Sequence, residues 1–506
     1  FVFLLIYNFM DKYDLCIIGA GPSGYASAMR AVDFGKRVVL IEKDKIGGAG
    51  LYNGALSSKT MWELSQKLRT INEGVESAGR KGVELSWEDV QKNLQAATFD
   101  RKFQYSCHIK LLQSEALNNI FKYERGLGTF IDNHHIEIQK NNNTTKTIYA
   151  ENIIIATGSK PRSLPDIEVD EEIIMTSDGV DHMSDFPKSM VIVGAGVIGC
   201  EYATIFSNFG KTKVYLIDRS ERVLPFEDED ISELISNNLI ENGVTIHSKA
   251  QLERLEKKNG KVEYELSYKD GSKEVITVDK ALLSVGRKLN INGLKMENAG
   301  VTLSKRGVHI GDLNTQTNVP NIYVVGDASG HISLVNVGEL EGRYAVEKIF
   351  AKTTSPINYS NICTIMFLQP EVASVGINEK NCIEQNIPIK VVKLDYSCIA
   401  RAIAMRKTEG FFKIIVTDCK DMKILGMRAV GEHASSAIQG VGLLMKMDKT
   451  IHELAEMVHP HPSIIEGVQE CVRMLLNKSI FKSSIFKDKL SCYRRKDGVV
   501  EHLQRL

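Results

Sequence analysis

Short, unbroken apolar runs alternate along this chain with longer stretches where apolar positions return every third or fourth residue. Leu15-Cys16-Ile17-Ile18 is such a run, β-branched enough to predict a buried strand. Gly19-Ala20-Gly21-Pro22-Ser23-Gly24 follows, then a small-residue helix over residues 25–34 and a second strand, Val38-Val39-Leu40-Ile41, closed by Glu42. The same order recurs further on. Met190-Val191-Ile192-Val193 predicts a strand, Gly194-Ala195-Gly196-Val197-Ile198-Gly199 a turn and residues 200–209 a helix. Val214-Tyr215-Leu216-Ile217 then predicts a strand that ends at Asp218. Between the two units, residues 60–110 carry a helical period, in two stretches around Met61 and from Trp87 to Leu112. Asn152-Ile153-Ile154-Ile155 and Tyr323-Val324-Val325 predict further strands, and from about residue 356 the pattern becomes strand-rich and mixed. The fold class expected is α/β.

Strand, glycine turn, helix, strand and terminal acid together make a dinucleotide-binding unit. The glycines let backbone approach a pyrophosphate at a helix N-terminus, and the acid accepts ribose hydroxyls. Glu42 stands eighteen residues past Gly24, and Asp218 nineteen past Gly199, the spacing such a unit requires. Two units predict two Rossmann-like domains and two bound dinucleotides. An acid at 218 favours a free ribose 2′-hydroxyl, hence NAD over NADP. Arg219 and Arg222 lie close behind and offer a 2′-phosphate a place; their alternative is a solvated turn balancing Glu221 and the acidic run 227–230.

Several stretches then resemble the pyridine-nucleotide disulfide oxidoreductases, the class I family that includes dihydrolipoyl dehydrogenase. They are Ile46-Gly47-Gly48-Ala49-Gly50-Leu51-Tyr52-Asn53-Gly54-Ala55-Leu56-Ser57-Ser58-Lys59, Ala156-Thr157-Gly158, Gly286-Arg287, Tyr323-Val324-Val325-Gly326-Asp327 and His459-Pro460-His461-Pro462-Ser463-Ile464-Ile465-Glu466. The resemblance spans about residues 13–480. It implies an FAD, a pyridine nucleotide and a homodimer built on a C-terminal α+β dimerisation domain. It divides the chain into an FAD domain at 10–158 and 287–355, an NAD domain at 159–286, a dimerisation domain at 356–482 and an extension at 483–506. The extension is polar and reads as loosely held.

The resemblance also assigns roles. Gly19, Gly21, Gly24, Glu42, Lys59, Gly128, Thr157, Gly158, Asp327 and Val335 would meet FAD. Gly194, Gly196, Gly199, Asp218, Gly286 and Arg287 would meet NAD. Lys59 and Glu201 match a lysine and glutamate paired beside the flavin, and His461 with Glu466 match the acid–base dyad offered to the opposite subunit. Taken alone, Asp327 also suits the N-cap of a helix over residues 337–350. In the family two cysteines separated by four residues lie under the flavin; the matching positions here are Gly50 and Ala55. Neither carries sulfur, and a thiol–disulfide relay needs a thiolate. Cys16, the nearest thiol in sequence, falls mid-strand and is expected to be buried and inert. Cysteines restored at 50 and 55 together would recreate the relay if the local helix keeps its geometry.

Composition narrows the function classes. Among 506 residues, 43% are hydrophobic and 25% charged, and the formal net charge is zero, which argues against nucleic-acid or membrane-surface partners. Nine scattered cysteines lack any metal-ligand or disulfide spacing, so no metal is expected and a reducing compartment, cytoplasm or an organelle matrix, is favoured. Residues 1–10 are apolar but about half the length needed to cross a bilayer, and Met10 is the expected start of translation. The expectation is therefore an FAD-dependent oxidoreductase passing hydride between NAD(H) and FAD, and onward to an unidentified small-molecule acceptor not reached through a protein disulfide. The alternatives are a transhydrogenase- or diaphorase-type flavoenzyme, or a non-catalytic flavin-binding assembly partner. Family resemblance leaves a 2-oxo acid dehydrogenase complex as a further partner.

Overall fold

A computed structural model describes residues 10–52, 54–114, 119–304, 310–353 and 355–503. The expectation about the first nine residues lies outside them. The chain divides into two compact units.

The first unit gathers residues up to Leu64 with Leu85–Phe186 and Val285–Ile357. Its sheet is centred on Asp11–Ile18, whose consecutive apolar residues are buried because both faces are covered. Val38–Glu42 pairs parallel on one side, with Ile17 opposite Leu40, and Phe121–Arg125 lies beyond it. Thr145–Ile155 pairs parallel on the other side and carries Ile322–Val324 on its C-terminal half. Its N-terminal half instead pairs antiparallel with His135–Gln139, which pairs with Leu127–Phe130. The carboxyl ends of the parallel strands therefore converge near Ile18, Ile41, Ile155 and Val324, the edge where open α/β sheets take ligands.

Two helices, Pro22–Asp33 and Val335–Phe350, lie close together because small residues face each other. A Cβ on Gly342 would stand 2.4 Å from the carbonyl oxygen of Ser23, and one on Gly338 3.2 Å from Ser23 Cβ. The excursion predicted over residues 60–110 forms the helices Ala55–Ser77 and Trp87–Leu112, the latter opened by a capping box between Ser86 and Asp89.

The second unit gathers Ser65–Glu84, Pro187–Ser284 and Asn358 onward. Its parallel strands run in the order Thr245–His247, Lys213–Ile217, Ser189–Val193 and Lys280–Leu283. An antiparallel meander of Gln251–Lys258, Lys261–Ser267 and Lys273–Val278 follows in the chain before the last of these. Beyond residue 358 comes an antiparallel sheet in the order Cys363–Met366, Val372–Gly376, Ile424–Val430, Phe411–Thr417 and Ile389–Asp395. Phe412, Met427, Val441 and Cys471 belong to its buried core.

Two expectations are corrected here. The extension after residue 482 is not loosely held: Leu490–Lys496 pairs with Ile389–Asp395 and then with Val499–His502, adding two strands to the sheet. Leu490 and Cys492 alternate inward into the core, which anchors the segment. The acidic run is not a solvated turn either. Glu227 and Asp228 are each 4% exposed and meet Arg428 and Lys413 at 3.0 and 3.2 Å. Their partners lie far downstream and neutralise charges that could not otherwise be buried.

Candidate dinucleotide sites and the sulfur-free segment

The two glycine turns are built alike. Gly19 and Gly194 adopt φ of +110° and +102°, a region open to glycine and costly for side chains. A Cβ on Gly24 would stand 1.9 Å from the oxygen of Gly19, and one on Gly199 1.9 Å from the oxygen of Gly194, so these glycines let each helix press on its strand. Gly21 and Gly196, the N-caps of Pro22–Asp33 and Val197–Phe209, face open space where a Cβ would otherwise stand. Unpaired amides of a first helical turn and a bare backbone form an anion-binding cradle.

The terminal acids match as well. Glu42 Oε2 accepts the Ala20 amide at 2.7 Å and Oε1 that of Asp44 at 2.8 Å. Asp218 Oδ2 accepts the Ala195 amide at 2.7 Å and Oδ1 that of Ser220 at 2.7 Å. Each carboxylate is thus tied to the turn it serves. Arg222 donates to the carbonyl of Glu227 at 3.3 Å.

Around the first cradle, Thr157 follows the strand Thr145–Ile155, and its buried Oγ1 has no protein partner. Gly158 beside it meets nothing within 4 Å of a Cβ position. A buried hydroxyl without a partner is costly unless a ligand or water completes it. Asp327 lies in the short turn Gly326–Ser329 after Ile322–Val324, and its Oδ2 accepts from Ser159 Oγ at 2.6 Å. It does not cap the following helix, whose N-cap is Leu334. Val335, the first residue of that helix, is 42% exposed. Gly128 packs instead against the side chains of Ile18 and Ile41, where a Cβ would stand 3.3 and 3.5 Å away.

Arg287 is placed differently from the expectation. It donates through Nε to Ser159 Oγ at 2.7 Å and through Nη2 to the Ser159 carbonyl at 2.9 Å, with Asp327 Oδ2 3.8 Å away. Gly286 and Arg287 belong to the first unit, and Arg287 is held among its Asp327-side residues by these bonds, not at the Gly194–Gly199 turn. Sequence gave no sign of Ser159 as the link between Asp327 and Arg287.

Lys59 sits in the first turn or two of Ala55–Ser77, with Nζ 3.4 Å from Ser58 Oγ. Glu201, in the second unit, is 5% exposed and accepts the amide of Phe367 at 3.0 Å. His461 Nδ1 and Glu466 Oε1 are 2.8 Å apart, and Glu466 Oε2 accepts the Ser463 amide at 2.9 Å. Partial burial pushes the Glu466 carboxyl up, but the Ser463 amide and His461 outweigh it and hold the carboxyl below its ordinary value. His461 is 71% exposed, so the dyad is presented outward from its own chain's surface.

The segment around Gly50 holds no thiol. Its helix Gly48–Leu51 stops at Tyr52, which is extended at φ −109° and ψ 142°, and the next helix starts at Ala55. A Cβ on Gly50 would meet the ring of Pro22. Cys16 is fully buried, and burial pushes its thiol far above the ordinary range. Buried thiols of this kind are poor nucleophiles.

Two family models cover most of the chain: pyridine nucleotide-disulphide oxidoreductase over residues 13–342, and the dimerisation domain of the same family over 362–472. The chain belongs to this family. A dihydrolipoyl dehydrogenase of Bacillus subtilis (strain 168) is 32% identical over 479 residues, covering 93% of this chain and 99% of that one. One from Chlamydia muridarum is 32% identical over 463 residues, covering 90% and 95%. Among solved structures, LpdA from Mycobacterium tuberculosis superposes with a TM-score of 0.83 at 25% identity, over 92% of this chain and 99% of that one. The Cu(II) complex of RclA from Escherichia coli, an HOCl-induced flavoprotein disulfide reductase, does so with a TM-score of 0.78 at 25% identity, over 92% and 100%. The family's members are oxidoreductases that use FAD and NAD(H). The open Gly21 cradle, the partnerless Thr157 hydroxyl and the tethered Glu42 fit a dinucleotide carrying a flavin, and the Gly196 cradle with Asp218 fits a second. No helix among the described residues is long and apolar enough to cross a membrane.

Proposed function

We propose that the protein is a homodimeric NADH-oxidising flavoenzyme whose electrons leave without passing through a protein disulfide. The observation that carries this reading is the sulfur-free segment: Gly50 and Ala55 stand at the family's two cysteine positions, and the nearest thiol in sequence is sealed in a strand. Bound FAD supplies two-electron hydride chemistry, for which the protein contributes positioning and electrostatics.

In this reading Gly19, Gly21, Gly24, Glu42, Gly128, Thr157, Gly158, Asp327 and Val335 hold FAD. Arg287 acts with them by fixing Ser159 against Asp327. Gly194, Gly196, Gly199 and Asp218 hold NAD, with Asp218 accepting the ribose hydroxyls. Lys59 and Glu201 serve hydride transfer as an oppositely charged pair beside the flavin. His461 and Glu466 form an acid–base dyad toward the partner subunit, a feature shared with the dihydrolipoyl dehydrogenases. Membership of a 2-oxo acid dehydrogenase complex is the corresponding assembly, and the dyad is the feature that favours it over a transhydrogenase.

Anaerobic addition of NADH to the flavin-loaded dimer tests the reading. Bleaching of the flavin, followed by turnover with artificial acceptors but not with dihydrolipoamide, is the expected result. Turnover of dihydrolipoamide by the pure protein, or a flavin that NADH leaves oxidised, would overturn it.

A further inference from the structure

A cavity of about 300 Å³ in the first unit lies outside both glycine turns. Its volume is at the lower end for small-molecule sites. It opens among Pro22–Asp33, Trp87–Leu112 and Val335–Phe350, with Pro22, Tyr25, Arg101, Tyr105, His108 and Glu339 in its lining. Pro22 is shared with the sulfur-free segment, because its ring is what a Cβ on Gly50 would strike. The cavity therefore adjoins the place where relatives keep their cysteines.

The lining is aromatic and carries a matched pair of proton-bearing groups. Tyr25 and Tyr105 meet edge to face, with centroids 4.6 Å apart and planes at 74°. The Arg101 guanidinium stands 4.9 Å from the Tyr105 centroid and is steadied by Gln104 Oε1 at 3.0 Å. The Tyr25 hydroxyl is hydrogen-bonded to His108 Nδ1. When that nitrogen carries the imidazole proton, it donates to the Tyr25 oxygen and directs the phenolic O–H to another acceptor. Burial raises the Tyr25 pKa to about 12, so the hydroxyl stays protonated at neutral pH.

We propose that this cavity binds a planar quinone-type acceptor, and that the Tyr25–His108 pair supplies the proton its reduction consumes. The inference rests on the flavoenzyme reading above and adds the class of acceptor. The balance is NADH + H⁺ + quinone → NAD⁺ + hydroquinone. The hydride equivalent brings both electrons and one proton. The second proton leaves the Tyr25 hydroxyl for a quinone oxygen, His108 returns one to Tyr25, and solvent refills His108. Arg101 places a positive charge where the quinone oxygens gain electron density. A disulfide acceptor, by contrast, would need a protein thiolate, and residues 50 and 55 offer none.

Menadione and ferricyanide separate the possibilities. Menadione takes up protons on reduction, whereas ferricyanide accepts single electrons and takes up none. In the NADH-reduced holoprotein, Tyr25→Phe and His108→Gln are expected to slow reoxidation by menadione about a hundredfold, the low end for a positioned acid. The solvent deuterium isotope effect on that step is expected to disappear, and ferricyanide reoxidation to be retained. Calorimetry on the oxidised holoprotein is expected to show menadione binding, weakened about tenfold by Arg101→Ala. Equal slowing with both acceptors, or unchanged menadione rates in both variants, would overturn the proposal. If NADH never bleaches the flavin, the flavoenzyme reading fails by itself and the calorimetry still judges the cavity. Menadione binding lost in Arg101→Ala would then support the site, and binding absent from the unmutated protein would overturn it.

Discussion

The ring of Pro22 occupies the side of Gly50 where a side chain would begin: a Cβ there would stand 2.5 Å from Pro22 Cγ. Loss of the family's cysteine at this position is therefore matched by packing around it. Gly50→Ala should force the proline ring or the helix Gly48–Leu51 to move, at a cost of about 1–3 kcal/mol for overpacking. Pro22→Ala in the same chain should recover most of it, as read by urea denaturation. An unchanged midpoint in Gly50→Ala would show that the segment yields freely.

The same contact revises the prospect of restoring a disulfide. Gly50→Cys with Ala55→Cys meets a blocked first position and a helix interrupted at Tyr52, so a separation of about 3.5–4.5 Å between Cβ atoms is not set by the backbone. The double variant should still take up one two-electron equivalent of dithionite per flavin and show no long-wavelength charge-transfer band. A second equivalent would mean that the segment rearranges into the relatives' geometry.

Asp218 should set the choice of nicotinamide. Its carboxylate already accepts two backbone amides, and the remaining lone pairs suit ribose hydroxyls while repelling a 2′-phosphate. Removing a charge-assisted hydrogen bond costs about 1.5–3 kcal/mol. Asp218→Ala should therefore weaken NADH by about ten- to a hundredfold and narrow the gap to NADPH in anaerobic flavin-reduction kinetics. Equal rates with both nucleotides in the unmutated protein would assign the 2′-phosphate to Arg219 or Arg222.

The buried ion pairs of the second unit should be large levers on stability. Glu227 and Arg428 have side chains 6% and 5% exposed at 3.0 Å. Arg428→Met alone strands a buried carboxylate and should cost about 3–5 kcal/mol, whereas Arg428→Met with Glu227→Leu should recover most of it. Calorimetric or urea unfolding of the three proteins reads the difference. A double variant as weak as the single one would show that Arg428 acts through its bonds to the carbonyls of Val375 and Gly376.

Asp230 gives that network a pH dependence. Burial pushes its carboxyl up, but Lys413 and Lys393 outweigh burial and hold it below the ordinary 3.8. A carboxyl lowered on folding contributes stability that is whole above its unfolded value and is lost as pH falls through its folded value. The stability gap between the unmutated protein and Asp230→Asn should thus be widest at pH 5 and shrink as the pH drops below about 3.8. A gap that stays constant down to pH 3 would remove Asp230 from the acid response.

The glycine turns were legible because spacing alone dictates them: a strand, a bare turn and an acid at fixed offsets leave few other conformations. Glu227 and Asp228 were not, since their partners Arg428 and Lys413 stand about two hundred residues away and charge runs usually face water. Arg287 was read toward the wrong dinucleotide because its neighbour in sequence, Gly286, gives no hint of Ser159. Tyr25 and His108 went unnoticed for the same reason: helix periodicity marks which face is covered, not which side chain bonds across it.

The C-terminal strands were hidden by composition, and they provide the last test. In Leu490-Ser491-Cys492-Tyr493-Arg494-Arg495 the charged residues dominate the average, yet Leu490 and Cys492 alternate into the core at 2% and 5% exposure. Tyr493 and Arg495 also reach Glu379 at 2.7 and 3.2 Å, beside the buried Lys413. Ending the chain after Lys489 would uncover the edge of Ile389–Asp395, with its N–H and C=O groups on that side, and take Leu490 out of the core. Burying one leucine is worth about 1.5–3 kcal/mol, so the truncated chain should lose at least that much. Amide exchange in residues 389–395 should quicken most, because those groups would lose their strand partner. If the truncated chain keeps its urea midpoint and its exchange protection there, the added strands are an ornament on a sheet that stands without them.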